Sequence, residues 1–239
     1  MRHTMKRYIS VLLLCVASQP VLAEPASRIQ ANFDVIGFGM TLANITETFN
    51  RKDDSYYIDS VTKAVGLLAR FKPETVRVTS QGKITPQGLI PLSFAMTREV
   101  DTDRNASAKF NWEKAILTHT DYKGVNDLPL AKGTQDRLSV LYHLMRLVKS
   151  AQAEFKFSLT DGNNIDDYSF SFSPQESDVT VPLGTFKTRY ISASSPNPDA
   201  VKYEIWLATE RDNIPCQIIV TDSKGGKLTQ VLTQLTITP

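Results

Sequence analysis

Four groups of side chains in this sequence have the residue types and spacing from which chemistry is built. Asp136, Ser139 and His143 stand at i, i+3 and i+7, one face of a helix, and hold the residue types of a serine nucleophile with its base. Spacing alone does not make a triad. A helical serine tends to bond back to a carbonyl one turn earlier, and the reaction also needs a group to hold the imidazole and an oxyanion hole beside the nucleophile. With Arg146 on the same stripe, this side of the helix is expected to face solvent or the rim of the fold. His119 and Asp121 share one face of a strand, with Tyr122 next to them. Asp101 with Asp103, and Asp161 with Asp166 and Asp167, offer carboxylates for calcium or for paired acid–base work. Both sets sit in or beside turns, where aspartate is favoured for bonding the backbone.

No recognised catalytic motif accompanies these residues. The sequence has no phosphate-cradling or dinucleotide glycine loop, no HExxH and no nucleophile elbow. It holds three histidines in all, too few for a histidine-rich zinc site once His3 is set aside. Cys216 alternates with Ile214, Ile218 and Val220, the pattern of a small apolar core residue. The expectation is therefore no catalytic set, no metal site and no cofactor. Aromatics suggest a different capacity. Tyr168, Phe170 and Phe172 alternate along one strand and so point to one face. Together with Trp112, Tyr142 and Trp206, Tyr168 and Phe170 are the expected lining of an apolar groove.

The N-terminus qualifies the charge of the chain. Arg2, Lys6 and Arg7 precede an apolar run from Tyr8 to Ala17, and Val21-Leu22-Ala23 places small residues at the −3 and −1 positions. Residues 1–23 read as a cleavable signal peptide, with 24–239 a single β-rich periplasmic domain. The chain has 27 bases and 25 acids. Three bases and no acid lie in residues 1–23, so the remainder carries 27 − 3 = 24 bases, 25 acids and a net charge of −1. That balance argues against nucleic acid as a partner. No stretch of the remainder reaches the ~18 apolar residues of a spanning helix. Cys15 leaves with the signal, so no disulfide forms within the mature chain.

Strand patterns dominate what is left. Arg28–Ile36 and Met40–Phe49 flank Gly37-Phe38-Gly39, a hairpin signal. Ser55–Val65, Thr75–Ser80, Leu92–Arg98, Ala108–Trp112 and Ile116–Tyr122 follow, and 65–71 reads as either a strand end or a helical turn. Gln135–Ser150 is the one long helix: Leu138, Leu141, Tyr142, Met145 and Val148 line a face, widened by Leu144 and Leu147. Thr134 or Asp136 is placed to cap its start, so Asp136→Ala is expected to cost roughly 1 kcal/mol. Strands resume at Glu154–Leu159 and Ile165–Phe172 around Asp161-Gly162, then at Val179–Val181, Thr185–Ser192, Tyr203–Ala208, Pro215–Thr221 and Leu228–Ile237.

Several of these segments also carry a family likeness. Thr134-Gln135-Asp136-Arg137-Leu138-Ser139-Val140-Leu141-Tyr142, Asp161-Gly162 followed by Tyr168, and Val181-Pro182-Leu183-Gly184-Thr185-Phe186 resemble the uncharacterised exported bacterial family known as domain of unknown function 3108. Phe110-Asn111-Trp112, and Trp206-Leu207-Ala208 followed by Ile214-Pro215, fit it too. The resemblance implies an envelope location and a β-rich fold with a helix, and brings no established activity. Its helix motif falls on Asp136, Leu138, Ser139 and Tyr142. The general layout also resembles periplasmic lipoprotein carriers, a likeness of architecture that does not give function.

The expected fold is mainly β: a single curved antiparallel sheet or half-open barrel with one amphipathic helix covering it. The expected function is a non-enzymatic periplasmic binding protein whose groove takes a lipid, acyl chain or glycan. An envelope glycan hydrolase or lyase using Asp161, Asp166, Asp167 or His119 with Tyr122 is the enzymatic alternative. A structural partner of an envelope protein complex is the third.

Overall fold

Alternation of apolar and polar residues sets the strands. In β1 (Arg28–Gly37), Ile29, Ala31, Phe33 and Val35 are buried and most residues between them are not, as a strand with one covered face requires. The meander continues through β2 (Met40–Lys52) and β3 (Ser55–Ala64), a six-residue helix α1 (Gly66–Phe71), then β4 (Thr75–Thr85), β5 (Gly88–Arg98), β6 (Ala106–Asn111), β7 (Ile116–Asp121) and β8 (Gly124–Pro129). A two-residue strand β9 (Gln135–Asp136) and the helix α2 (Ser139–Leu147) come next. The chain ends in β10 (Glu154–Thr160), β11 (Ile165–Val181), β12 (Gly184–Ser194), β13 (Lys202–Ala208), β14 (Ile214–Thr221) and β15 (Lys227–Thr238). The computed structural model describes residues 26–148, 150 and 152–238, and the segment read as a signal peptide lies outside them.

All fifteen strands form one sheet, in the order β8 to β1 and then β15 down to β9. Every pairing is antiparallel except the short parallel one of β9 with β10. β1 lies between β2 and β15, with Arg28 opposite Thr238, so the two ends of the fold meet at the middle of the sheet. Two arms grow from this seam and curl towards each other without closing into a barrel. Side chains, not a backbone ladder, mark where the arms meet. His119 Nε2 of β7 lies 2.8 Å from Thr160 Oγ1 of β10. Gln135 Nε2 donates to the carbonyl of Leu89 in β5 across 2.9 Å. Gly162, at φ +91°, sits so tightly on the first arm that a Cβ would stand 3.2 Å from both Phe94 and Ala106.

Helix α2 lies inside this curl. Leu138, Tyr142 and Met145 belong to one buried cluster with β1–β7, while Val140, Leu144 and Val148 belong to a second with β10–β14. The buried residues of α2 span more than one side while Arg146 stays exposed, so the helix fills the concave face that it covers. No described helix is long and apolar enough to cross a membrane.

The mainly β class and the curved sheet match the expectation, and the differences are local. The helix begins at Ser139, not Gln135. Residues 135–136 instead pair with Leu159 and Thr160, and the Arg137 N–H donates to the Thr160 carbonyl, so the sheet edge claims them first. Residues 66–71, read as either a strand end or a helical turn, form the short helix α1. Strand β8 lacks an apolar alternation because, as an edge strand, it is exposed on both faces over most of its length. The separate strands expected at 165–172 and 179–181 are one strand, β11, with an irregularity between Phe172 and Glu176.

Candidate functional site

The start of α2 is tied to the sheet by a buried chain of hydrogen bonds. Asp136 Oδ1 accepts from the backbone N–H of Leu138 at 2.9 Å and of Ser139 at 2.8 Å, which satisfies two donors that a helix start leaves free. Asp136 Oδ2 accepts from Ser80 Oγ of β4 at 2.6 Å. Ser80 has one proton to give, so the 3.2 Å contact between Ser80 and Tyr56 must be donated by the tyrosine. The direction is thus Tyr56 to Ser80 to Asp136. Ser139 Oγ accepts from the Asp136 N–H and donates to the Asp136 carbonyl. Burial pushes the Asp136 carboxyl up to about 6, against the pull of these donors.

A second acid lies deeper. Glu47 is on the inner face of β2 between Ile45 and Phe49, almost wholly buried. Tyr142 Oη donates to its Oε1 at 2.9 Å, and the Tyr142 ring stacks on Phe49 at 4.6 Å. Burial raises the Glu47 carboxyl above its ordinary range, with the Tyr142 and Ser60 hydroxyls opposing. Burial and the Glu47 charge push the Tyr142 hydroxyl well up.

Above Glu47 is an unfilled space of about 360 Å³ between the concave face of the sheet and the first turn of α2. Val35, Val78, Val140, Phe170, Ile205 and Ile218 are among its apolar walls, and Glu47 and Ser60 make a polar patch at its base. Arg137, Asp161, Tyr203 and Leu228 stand at the side where the arms end. Among the described residues the Arg137 guanidinium makes no ion pair. A smaller cleft of about 110 Å³ adjoins this mouth and shares Arg137, Asp161 and Tyr203 with it. An apolar cavity with one cation at its rim is suited to an apolar chain with an anionic head. It is at the small end of the range of about 300–1,000 Å³ common to ligand pockets.

Residues 28–233 match the model of a protein family described as "Protein of unknown function (DUF3108)". The chain belongs to that family. The matched span takes in both arms, α2 and the cavity. No curated protein matches the chain. Among solved structures, it is similar to a β-barrel-like protein of domain of unknown function DUF1849 from Brucella abortus. The identity is 12% and the TM-score 0.59, over 89% of this chain and 98% of that one. A likeness at this identity concerns the fold alone.

In this DUF3108 chain the aromatics singled out by sequence do not converge. Phe170 lines the 360 Å³ cavity and Tyr142 braces the glutamate beneath it. Tyr168 lines the adjoining cleft and donates to the Val201 carbonyl at 2.8 Å. Trp112 borders a separate hollow of about 860 Å³ at the far end of the sheet, its indole N–H donating to the Pro91 carbonyl. Trp206 packs beside Tyr190, with ring centroids 5.0 Å apart, and lines none of these spaces.

The stripe holding Asp136, Ser139, His143 and Arg146 is expected to face solvent or the rim of the fold; its first three residues are buried or half-buried and Arg146 is exposed. The helix lies within the curl of the sheet, and Arg146, further along the same stripe, is where it reaches solvent. The three residues still make no triad. His143 Nδ1 accepts from the Leu89 N–H at 3.1 Å, and burial lowers its pKa to about 4, so the ring is a neutral structural acceptor. His119 is spent on Thr160, while Tyr122 points outward with Lys123 over its ring. Asp161 accepts from the Asn163 and Asn164 N–H groups, Asp166 from Asn197 and Asp167 from Ser158. Among the described residues no three His, Cys, Asp or Glu side chains gather where an ion would sit. Burial holds the Cys216 thiol up at about 11, so it is no nucleophile at neutral pH.

Sequence reasoning missed Glu47, Ser60, Ser80 and Arg137. A signal for three of them was present. Glu47 breaks an apolar row, Ile45-x-Glu47-x-Phe49, and Ser60 and Ser80 follow Ile58 and Val78 at inward positions. A polar residue on the buried side of a strand has to find a partner there.

Proposed function

We propose that this protein is a non-enzymatic binding protein of the bacterial cell envelope, reached by export through residues 1–23, that holds one acyl chain in the cavity beneath α2. The observation that carries the reading is the cavity itself: an apolar space is left open under a helix whose position is fixed by polar bonds to the sheet. Its aliphatic walls favour an acyl chain over a glycan, which needs an aromatic platform and many hydrogen-bonding groups. Arg137 at the mouth supplies the partner for a carboxylate or phosphate head.

Native mass spectrometry of gently purified protein, with solvent extraction of the same sample, is the direct test. A bound amphiphile is expected, along with saturable binding of fatty acids of graded chain length. Arg137→Gln should weaken that binding by about tenfold, the loss of one charge-assisted contact. An empty protein that binds no member of the series overturns the reading.

A further inference from the structure

Large apolar side chains exposed among the described residues crowd one end of the sheet. Of twelve such residues, nine lie at the end where β1 turns into β2, β3 into β4, β5 into β6, β7 into β8 and β14 into β15. Six of the nine lie on adjacent connections at this end: Phe38, Met40, Leu67, Leu68, Phe71 and Leu228. Their adjacency follows from the strand order, since the β1–β2, β3–β4 and β14–β15 connections are side by side. Local contacts agree. The Val65 N–H, just ahead of α1, donates to the Leu42 carbonyl, and Gly37 has Leu42 and Leu228 against it on the side a Cβ would take. Leu228 also lines the cavity. Phe38 is 93% exposed, Phe71 78% and Leu67 60%. A contiguous patch of this kind marks a surface that meets something else.

The backbone at Phe38 points the same way. Phe38 and Gly39 have φ of +53° and +76°, the left-handed pair of a tight hairpin turn that favours asparagine or aspartate followed by glycine. The turn between β2 and β3, at the opposite end, follows that preference with Asp53 at φ +53°. A bulky aromatic in this conformation is unusual. The sequence therefore keeps at the tip a residue that suits neither the turn nor water, and broken local rules concentrate at functional sites. Charge supplies the rest. Lys63, Arg70, Lys72, Lys224 and Lys227 surround the patch, against Glu74 and Asp222. Asp222 is engaged by the N–H groups of Lys224 and Gly226, and Glu74 lies beside Arg98. The patch thus has 5 − 2 = +3, while the chain from Glu24 onward totals −1.

We propose that this end of the protein docks on an anionic lipid surface, with Phe38 and Phe71 entering the acyl region and the five cations among the head groups. Docking places Leu228, which lines the cavity, against the bilayer. Its purpose therefore rests on the acyl-carrier reading, but its test does not. The test is flotation of the chain from Glu24 onward, which holds every described residue, with vesicles of phosphatidylcholine alone or mixed with phosphatidylglycerol. Binding is expected to the mixed vesicles only, and to weaken as salt rises. Phe38→Asn combined with Phe71→Ser should lower the partition at least about tenfold, as should Lys224→Glu with Lys227→Glu. The asparagine suits the turn, so an unchanged or higher melting midpoint confirms that these variants fold. No flotation with mixed vesicles, equal flotation with both kinds, or variants that float like the parent would each overturn the proposal. Fatty-acid binding in solution reports on the cavity separately, so the two readings fail independently.

Discussion

Replacing Asp136 by asparagine tests whether a buried charge sits at the start of α2. The carboxyl is wholly buried and raised from 3.8 to about 6. Between those values the folded chain binds a proton that the unfolded chain has released. Stability from this group is therefore complete below pH 3.8 and is lost as pH rises towards about 6. The gap, at about 1.4 kcal/mol per pH unit, amounts to about 3 kcal/mol. Asparagine keeps the oxygen that accepts from the Leu138 and Ser139 N–H groups and never ionises. His143 and His119, both lowered mainly by burial, act in the opposite sense: they destabilise as pH falls. Glu47, raised mainly by burial, acts in the same sense as Asp136. The difference between variant and parent cancels these shared contributions. Urea unfolding of both proteins from pH 3.5 to 7.5 should show Asp136→Asn gaining about 3 kcal/mol on the parent over that span. A difference that stays flat, or that moves towards the parent, would refute the reasoning. It would mean that the donors around the carboxylate outweigh its desolvation.

Three further outcomes follow from the packing. Gly82→Ala should destabilise by about 3 kcal/mol or more, because the new Cβ would stand 2.1 Å from the Ile90 carbonyl oxygen and 2.9 Å from the Tyr56 ring; a melting midpoint within a degree or two of the parent would contradict that geometry. Leu144→Ala, at a fully buried position inside the curl, should cost about 3–5 kcal/mol in chemical denaturation. Tyr142→Phe leaves the Glu47 carboxylate with one donor fewer. It should lose about 1–2 kcal/mol at neutral pH, and the loss should shrink as acid protonates Glu47.

Much of the fold was legible because the strands have one covered face. Ile29, Ala31, Phe33 and Val35 announce β1, and Asp161-Gly162 announces a hairpin, from residue types alone. What failed did so where partners distant in sequence decide. Gln135 and Asp136 read as helix until β10 pairs with them. Edge strand β8 has no buried face to impose a pattern. The candidate site was less legible still. Aromatic content pointed to Trp112 and Trp206, yet the cavity is mostly aliphatic, and its polar members come from elements far apart in sequence: β2, β3, the α2 start, the β10–β11 turn, β13 and β15. The sequence placed Asp136 as a cap worth roughly 1 kcal/mol. In the structure its bonds to Ser80 and to the backbone are shielded from water, so Asp136→Ala would strand buried donors and should cost more than that figure.

The manner in which α2 is held bears on whether the cavity can persist. A helix held by apolar contacts alone would be free to slide and fill a space of about 360 Å³, because interiors collapse onto voids where they can. Directional bonds prevent this. Asp136 is bound to β4 through Ser80, Tyr142 to β2 through Glu47, and His143 to β5 through the Leu89 N–H. The Met145 carbonyl accepts from Asn213, in the turn before β14. These ties run along the helix from its start to its last turn and reach three strands of the first arm and one loop of the second. Two of them contain acids raised by burial, so part of the folding free energy is spent on position at neutral pH. That is a poor arrangement for a closed scaffold, which apolar side chains would stabilise better. It suits a protein that must keep a cavity open while unoccupied, as the acyl-chain binding proposed above requires.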